Sequence, residues 1–102
     1  MAPRLDFQDV LVTILGSPNV YFQPPPDIQM EYPCIVYERD DQETAYADNK
    51  TYMYMKKYQV TVIDPNPDSP IPDTLETSLP YCRFSRFFIA DKLNHDVFDI
   101  YF

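Results

Sequence analysis

The chain has 102 residues, 45% of them hydrophobic, with nine Tyr and seven Phe; this is enough for one domain with a modest core, and too apolar and aromatic for a disordered tail. Sixteen acidic residues against eight basic ones leave a formal net charge of −8. That balance argues against a nucleic-acid backbone as the main ligand, because phosphate contacts need Lys and Arg, but it is compatible with an acidic surface that lines a channel and repels DNA.

The elements follow in chain order. The segment Met1-Ala2-Pro3-Arg4-Leu5-Asp6 has no apolar stretch of the signal-peptide kind, and Asp6 and Asp9 interrupt it, so the chain is expected to be soluble and made in the cytoplasm. No apolar run approaches the roughly 20 residues that a membrane-crossing helix needs. Phe7, Val10, Leu11, Ile14 and Leu15 recur at helical spacing, which predicts an amphipathic helix over about 4–16, with Pro3 at its start and Gly16-Ser17-Pro18 at its stop. Asn19-Val20-Tyr21-Phe22 has the composition of a short strand, and Pro24-Pro25-Pro26 after it reads as a stiff polyproline connector.

Tyr32-Pro33-Cys34-Ile35-Val36-Tyr37-Glu38-Arg39 is rich in β-branched and aromatic residues and reads as a strand, with Pro33 tolerable only at its beginning. The polar, acidic stretch Asp40–Lys50 has no hydrophobic period and reads as an exposed hairpin loop. Thr51–Asp64 carries the longest β pattern. Tyr52, Tyr54, Lys56, Tyr58, Val60 and Val62 fall on one face, and Met53, Met55, Lys57, Gln59, Thr61 and Ile63 on the other. At about 13 residues it exceeds the usual strand, so part of it is expected to project as one arm of a hairpin with the strand ending near Arg39.

Pro65-Asn66-Pro67-Asp68-Ser69-Pro70 stops the strand. Ser69 then reads as an N-cap, with Pro70 at the first helical position and Ile71, Leu75 and Leu79 as the apolar face of a short helix over about 70–79. Tyr81–Ala90 alternates and reads as a strand, Asp91–Asp96 as a turn, and Val97–Phe102 as a final strand. The fold expected is one α+β domain over residues 1–102: an antiparallel or mixed β-sheet with a long β-hairpin, packed against the N-terminal helix and a second short helix. With one Gly against eleven Pro, turns that need positive φ fall to Asn and Asp.

Candidate chemistry is sparse. One glycine cannot build a phosphate-binding loop or a dinucleotide fingerprint. The single histidine, His95, stands near Asp91, Asp96 and Asp99 and reads as a hydrogen-bonded turn residue rather than a metal ligand. Cys34 and Cys82 lie in apolar strands, too few for a disulfide scaffold, and read as buried, reduced thiols. No nucleophile–base arrangement is legible, so no catalytic, cofactor or metal residue is assigned and no enzyme is expected. Asp40, Asp41 and Glu43 lack the spacing of a calcium loop and read as a solvated loop. Lys56 and Lys57 among Tyr52, Tyr54 and Tyr58 are a weak signal for single-stranded nucleic acid. The same Tyr- and Met-rich strand fits either a protein interface, which enriches Tyr and Met, or plain core. The candidate subunit-interface residues are Asp40, Asp41, Glu43, Tyr46, Tyr52, Met53, Tyr54, Met55, Lys56 and Lys57.

The element order, together with the phrases Tyr32-Pro33-Cys34-Ile35-Val36-Tyr37-Glu38-Arg39, Tyr58-Gln59-Val60-Thr61-Val62-Ile63-Asp64 and Leu93-Asn94-His95-Asp96-Val97-Phe98-Asp99-Ile100-Tyr101-Phe102, resembles the tail-terminator (tail-completion, tail-to-head joining) proteins of long-tailed bacteriophages over nearly the whole chain. The resemblance implies a structural virion protein of the tail or neck that caps the growing tail tube as a homo-oligomeric ring, with six copies matching the tube. Its partners would be itself, the tail tube protein and the head-completion protein. DNA would pass through an acidic lumen without specific binding, and no membrane would be involved. Other readings are another neck component, such as a head-closure or adaptor protein, a small regulatory domain that binds a host protein, and an enzyme with an unrecognised site.

Overall fold

The computed structural model describes residues 4–40 and 56–102. Helix α1 spans Arg4–Leu15, strand β1 Val20–Phe22, β2 Cys34–Arg39, β3 Lys57–Asp64, helix α2 Ile71–Ser78, β4 Cys82–Ala90 and β5 Leu93–Tyr101. This is the α+β order that the sequence predicts. The described strands form one five-stranded mixed sheet in the order β1-β2-β3-β5-β4. β1 runs parallel to β2, and every other neighbouring pair is antiparallel.

Both helices pack on one face of the sheet. Phe7 and Leu11 of α1 and Ile71, Leu75 and Leu79 around α2 are buried in one cluster with Ile35, Tyr37, Tyr58, Val60, Val62, Phe98 and Ile100. The predicted helix face is the buried one, and Val10, Ile14 and Leu15 pack at its margin. The helix ends where Gly16 takes φ +79° and its amide donates to the Val12 carbonyl at 2.8 Å. A Cβ at Gly16 would meet no atom within 4 Å, so conformation rather than space favours glycine here.

The core is aromatic. Phe7 stands edge-on to Tyr37 and lies against Tyr58 and Phe102, with centroids at 5.4, 4.7 and 4.8 Å. Offset and edge-on arrangements of this kind add to simple area burial. The Tyr37 hydroxyl donates to Gln8 Oε1 and accepts from Arg4 Nη1 at 3.1 Å, which ties the helix start to β2. Arg4 also stacks over Phe22 of β1, 4.2 Å from its centroid.

β2 and β3 pair in the register Cys34↔Ile63 to Arg39↔Tyr58, so the expected hairpin partnership holds. The two-face alternation of β3 also holds, with Tyr58, Val60 and Val62 buried on the helix side. Thr51–Met55 and the expected loop residues 41–50 lie outside the described residues.

Several expectations are corrected. The short helix is capped by Pro70, not Ser69; Ser69 Oγ instead accepts the Ile71 amide at 3.3 Å from one residue farther back. The turn expected over Asp91–Asp96 contracts to Asp91-Lys92, with φ of 53° and 63°, and β5 begins at Leu93. Positive φ at both central residues matches the right-handed twist of a two-residue hairpin. Asn94 pulls the strand start back, since its amide donates to the carbonyls of Asp64 and Pro65 at 3.0 and 3.3 Å. Positive φ falls on Asp91 as composition implies, but also on Gln23 and Lys92. His95 is therefore a strand residue, hydrogen-bonded from Nδ1 to the Leu93 carbonyl at 3.0 Å. Cys34 is buried, whereas Cys82, at the start of the outermost strand, is only half-buried.

Candidate interaction surface

The hairpin base holds three of the residues predicted for an interface. Asp40 donates its amide to the Lys57 carbonyl at 2.8 Å, and the Lys57 ammonium lies 3.6 Å from the Asp40 carboxylate. Lys56 exchanges both backbone bonds with Phe102, at 3.1 and 3.0 Å. Asp40, Lys56 and Lys57 are thus engaged within the chain, continuing the β2–β3 and β3–β5 ladders. Tyr58, which the sequence left between interface and core, is core at 1% exposure. Asp41, Glu43, Tyr46, Tyr52, Met53, Tyr54 and Met55 lie outside the described residues.

The surface that sequence reasoning missed is β4, an edge strand with one ladder partner among the described residues. Phe84, Phe87, Phe88 and Ile89 are 47%, 49%, 39% and 65% exposed. A bulge at Ser85 creates this arrangement. Phe84 registers with Phe98, and the next paired residue is Arg86, opposite Val97. An extra residue on one strand reverses the faces beyond it. Strict alternation would separate Phe84 from Phe87 and Ile89; with the bulge, all three stand on the helix side of the sheet. Arg83, Arg86 and Phe88 stand on the opposite side. There Phe88 stacks on His95 at 4.5 Å with planes 14° apart, and Arg86 lies 5.8 Å from the Phe88 centroid.

On the helix side, Phe84 rests edge-on against Phe98, while Phe87 and Ile89 keep about half or more of their surface exposed. No carboxylate occurs between Leu79 and Ala90, while Arg83 and Arg86 account for two of the chain's eight basic residues. Clustered aromatics with Arg and without carboxylates are the composition of an interface centre. The signal in the sequence was the run Arg83-Phe84-Ser85-Arg86-Phe87-Phe88-Ile89, which reads equally as an alternating buried strand while its position in the sheet is unknown.

Elsewhere the described residues offer little chemistry. A shallow groove between α1 and α2 is lined by Asp9, Val10, Thr13, Ile14 and Ser78. Among the described residues no group of three His, Cys, Asp or Glu stands where it would hold a metal ion. No described helix is long and apolar enough to cross a membrane. Burial pushes both thiols up to about 11, aided by Asp64 near Cys34 and Glu76 near Cys82, which keeps them protonated and poorly nucleophilic at neutral pH. Comparison with protein-family models and with curated proteins finds no match to the chain.

Proposed function

We propose that the protein is a structural subunit of a homo-oligomeric ring of the tail-terminator type, which caps a phage tail tube and joins it to the head-completion protein. The observation that carries this reading is the nine-residue β4 edge with its four large exposed apolar side chains. An open edge of that length and composition is a hazard for a monomer and an asset for a subunit whose edge is met by a neighbour. Rotational symmetry closes such contacts into a ring and leaves no edge unpaired. The net charge of −8 supports a wall along which DNA slides without adhering. The resemblance in element order and in the strand phrases supports the tail-terminator assignment among ring-forming proteins.

Two measurements test it. Negative-stain microscopy of the purified protein, alone and bound to tail tubes, is expected to show closed rings, with one ring at the tube end. Mass spectrometry of purified phage particles is expected to find the protein at a few copies per particle. Its absence from the particles would overturn the reading.

A further inference from the structure

We propose that the β4 edge of one copy docks on the β1 edge of a second copy of this chain, head to tail, with α1 and the β1–β2 connector of the second copy covering the two faces of β4. This rests on the ring reading only for closure of the assembly; the contact itself is argued from both edges of the sheet.

The large exposed apolar residues of the described chain divide between these edges. Phe84, Phe87, Phe88 and Ile89 belong to β4, while Leu5 lies on α1 and Ile28 and Tyr32 lie in the connector 23–33. α1 packs over β1 and β2. The connector is held to β1 by the Glu31 amide, which donates to the Tyr21 hydroxyl at 3.2 Å. The charges divide in the same way. β4 carries Arg83 and Arg86 and no carboxylate; the connector carries Asp27 and Glu31, both exposed, and no Lys or Arg.

The faces match as well. Tyr21 registers with Val36, away from the helices, so the connector it anchors lies on the non-helix side. Arg83 and Arg86, opposite Asp99 and Val97, are on that same side. A second copy that continues the sheet keeps its faces in place. Arg83 and Arg86 then meet Asp27 and Glu31, and on the other side Phe84, Phe87 and Ile89, which stay 47%, 49% and 65% exposed in their own chain, come under the second copy's α1. The strand directions agree: β4 is antiparallel to β5, β5 to β3 and β3 to β2, and β2 runs with β1. A second copy in the same orientation therefore sets β1 antiparallel to β4, the favoured orientation. The contact rests on the side chains more than on a new ladder, because the outward Val20 amide donates to the Pro18 carbonyl and the Val20 carbonyl accepts from the Gln8 side chain. Pairing β4 with another β4 would instead set arginines against arginines.

The test uses two charge-reversed proteins, R83E/R86E and D27R/E31R, with fold checked by circular dichroism and melting, and assembly read by sedimentation velocity and microscopy. Each variant alone is expected to self-associate at least about tenfold more weakly than wild type, and an equimolar mixture to recover assembly, because each reversed edge then meets its complement. D27R/E31R assembling alone as wild type does would point to a β4–β4 contact and overturn the proposal. Wild-type rings that R83E/R86E forms equally well would also overturn it, leaving the ring reading intact. Wild-type assemblies that obey the charge rules but grow as open filaments would uphold the edge contact and sink the ring. Wild type that stays monomeric at the highest attainable concentration would overturn both.

Discussion

The Phe84 ring stands edge-on to Phe98, with centroids 5.6 Å apart and planes at 77°, and this contact marks where the core ends. Phe98 is 1% exposed and Phe84 47%, although the two are direct cross-strand partners. Phe98→Ala is therefore expected to destabilise the fold by about 3–5 kcal/mol, and Phe84→Ala by about 1 kcal/mol or less. Chemical denaturation of both variants checks this. Equal losses would mean that β4 is part of the monomer's core and not a free surface.

Leu11 is fully buried beneath α1, whereas Ile14 packs at the edge of the cluster. Leu11→Ala is expected to cost roughly 2–5 kcal/mol, and Ile14→Ala distinctly less, since its cavity opens to solvent. A melting curve unchanged by Leu11→Ala would show that this helix face does not pack on the sheet.

Both thiols titrate near 11, so at pH 8 about one molecule in a thousand carries a thiolate at either site. Access then sets the order of reaction. In a native thiol titration Cys82 is expected to react slowly and Cys34 only on unfolding, with two thiols found in denaturant. Cys34 reacting as fast as Cys82 in the native protein would contradict its burial.

Asp96 on β5 is held above its ordinary value, first by burial and then by Asp73 at the start of α2, with His95 pulling the other way. The native state thus favours the protonated carboxyl. Its contribution to stability is fully present below the unfolded-state value and is lost as pH rises through the raised native one. Asp96→Asn, a neutral group of the same shape, is expected to raise Tm at pH 7 and leave it unchanged at pH 3. An equal shift at both pH values would rule out the carboxylate charge as the cause.

What the sequence determined by itself is what short spans of chain can encode. The i, i+3, i+4 recurrence from Phe7 to Leu15, the glycine stop at Gly16, and the period of two through Tyr58, Val60 and Val62 each depend on residues within a few positions of one another. Those features return in the structure nearly residue for residue. The tertiary structure alone decided which strands end the sheet. β5 inserts between β3 and β4, and β1 joins β2 in parallel; these pairings bring together residues far apart in the chain, and no local period records them. The same holds for the bulge at Ser85. Its one-residue slip is invisible in an alternating run, yet it gathers Phe84, Phe87 and Ile89 on one face at an edge of the described sheet. A strand with that sequence in the middle of the sheet would be core. At the edge of the described sheet, where the two short helices leave it half-exposed, it is surface.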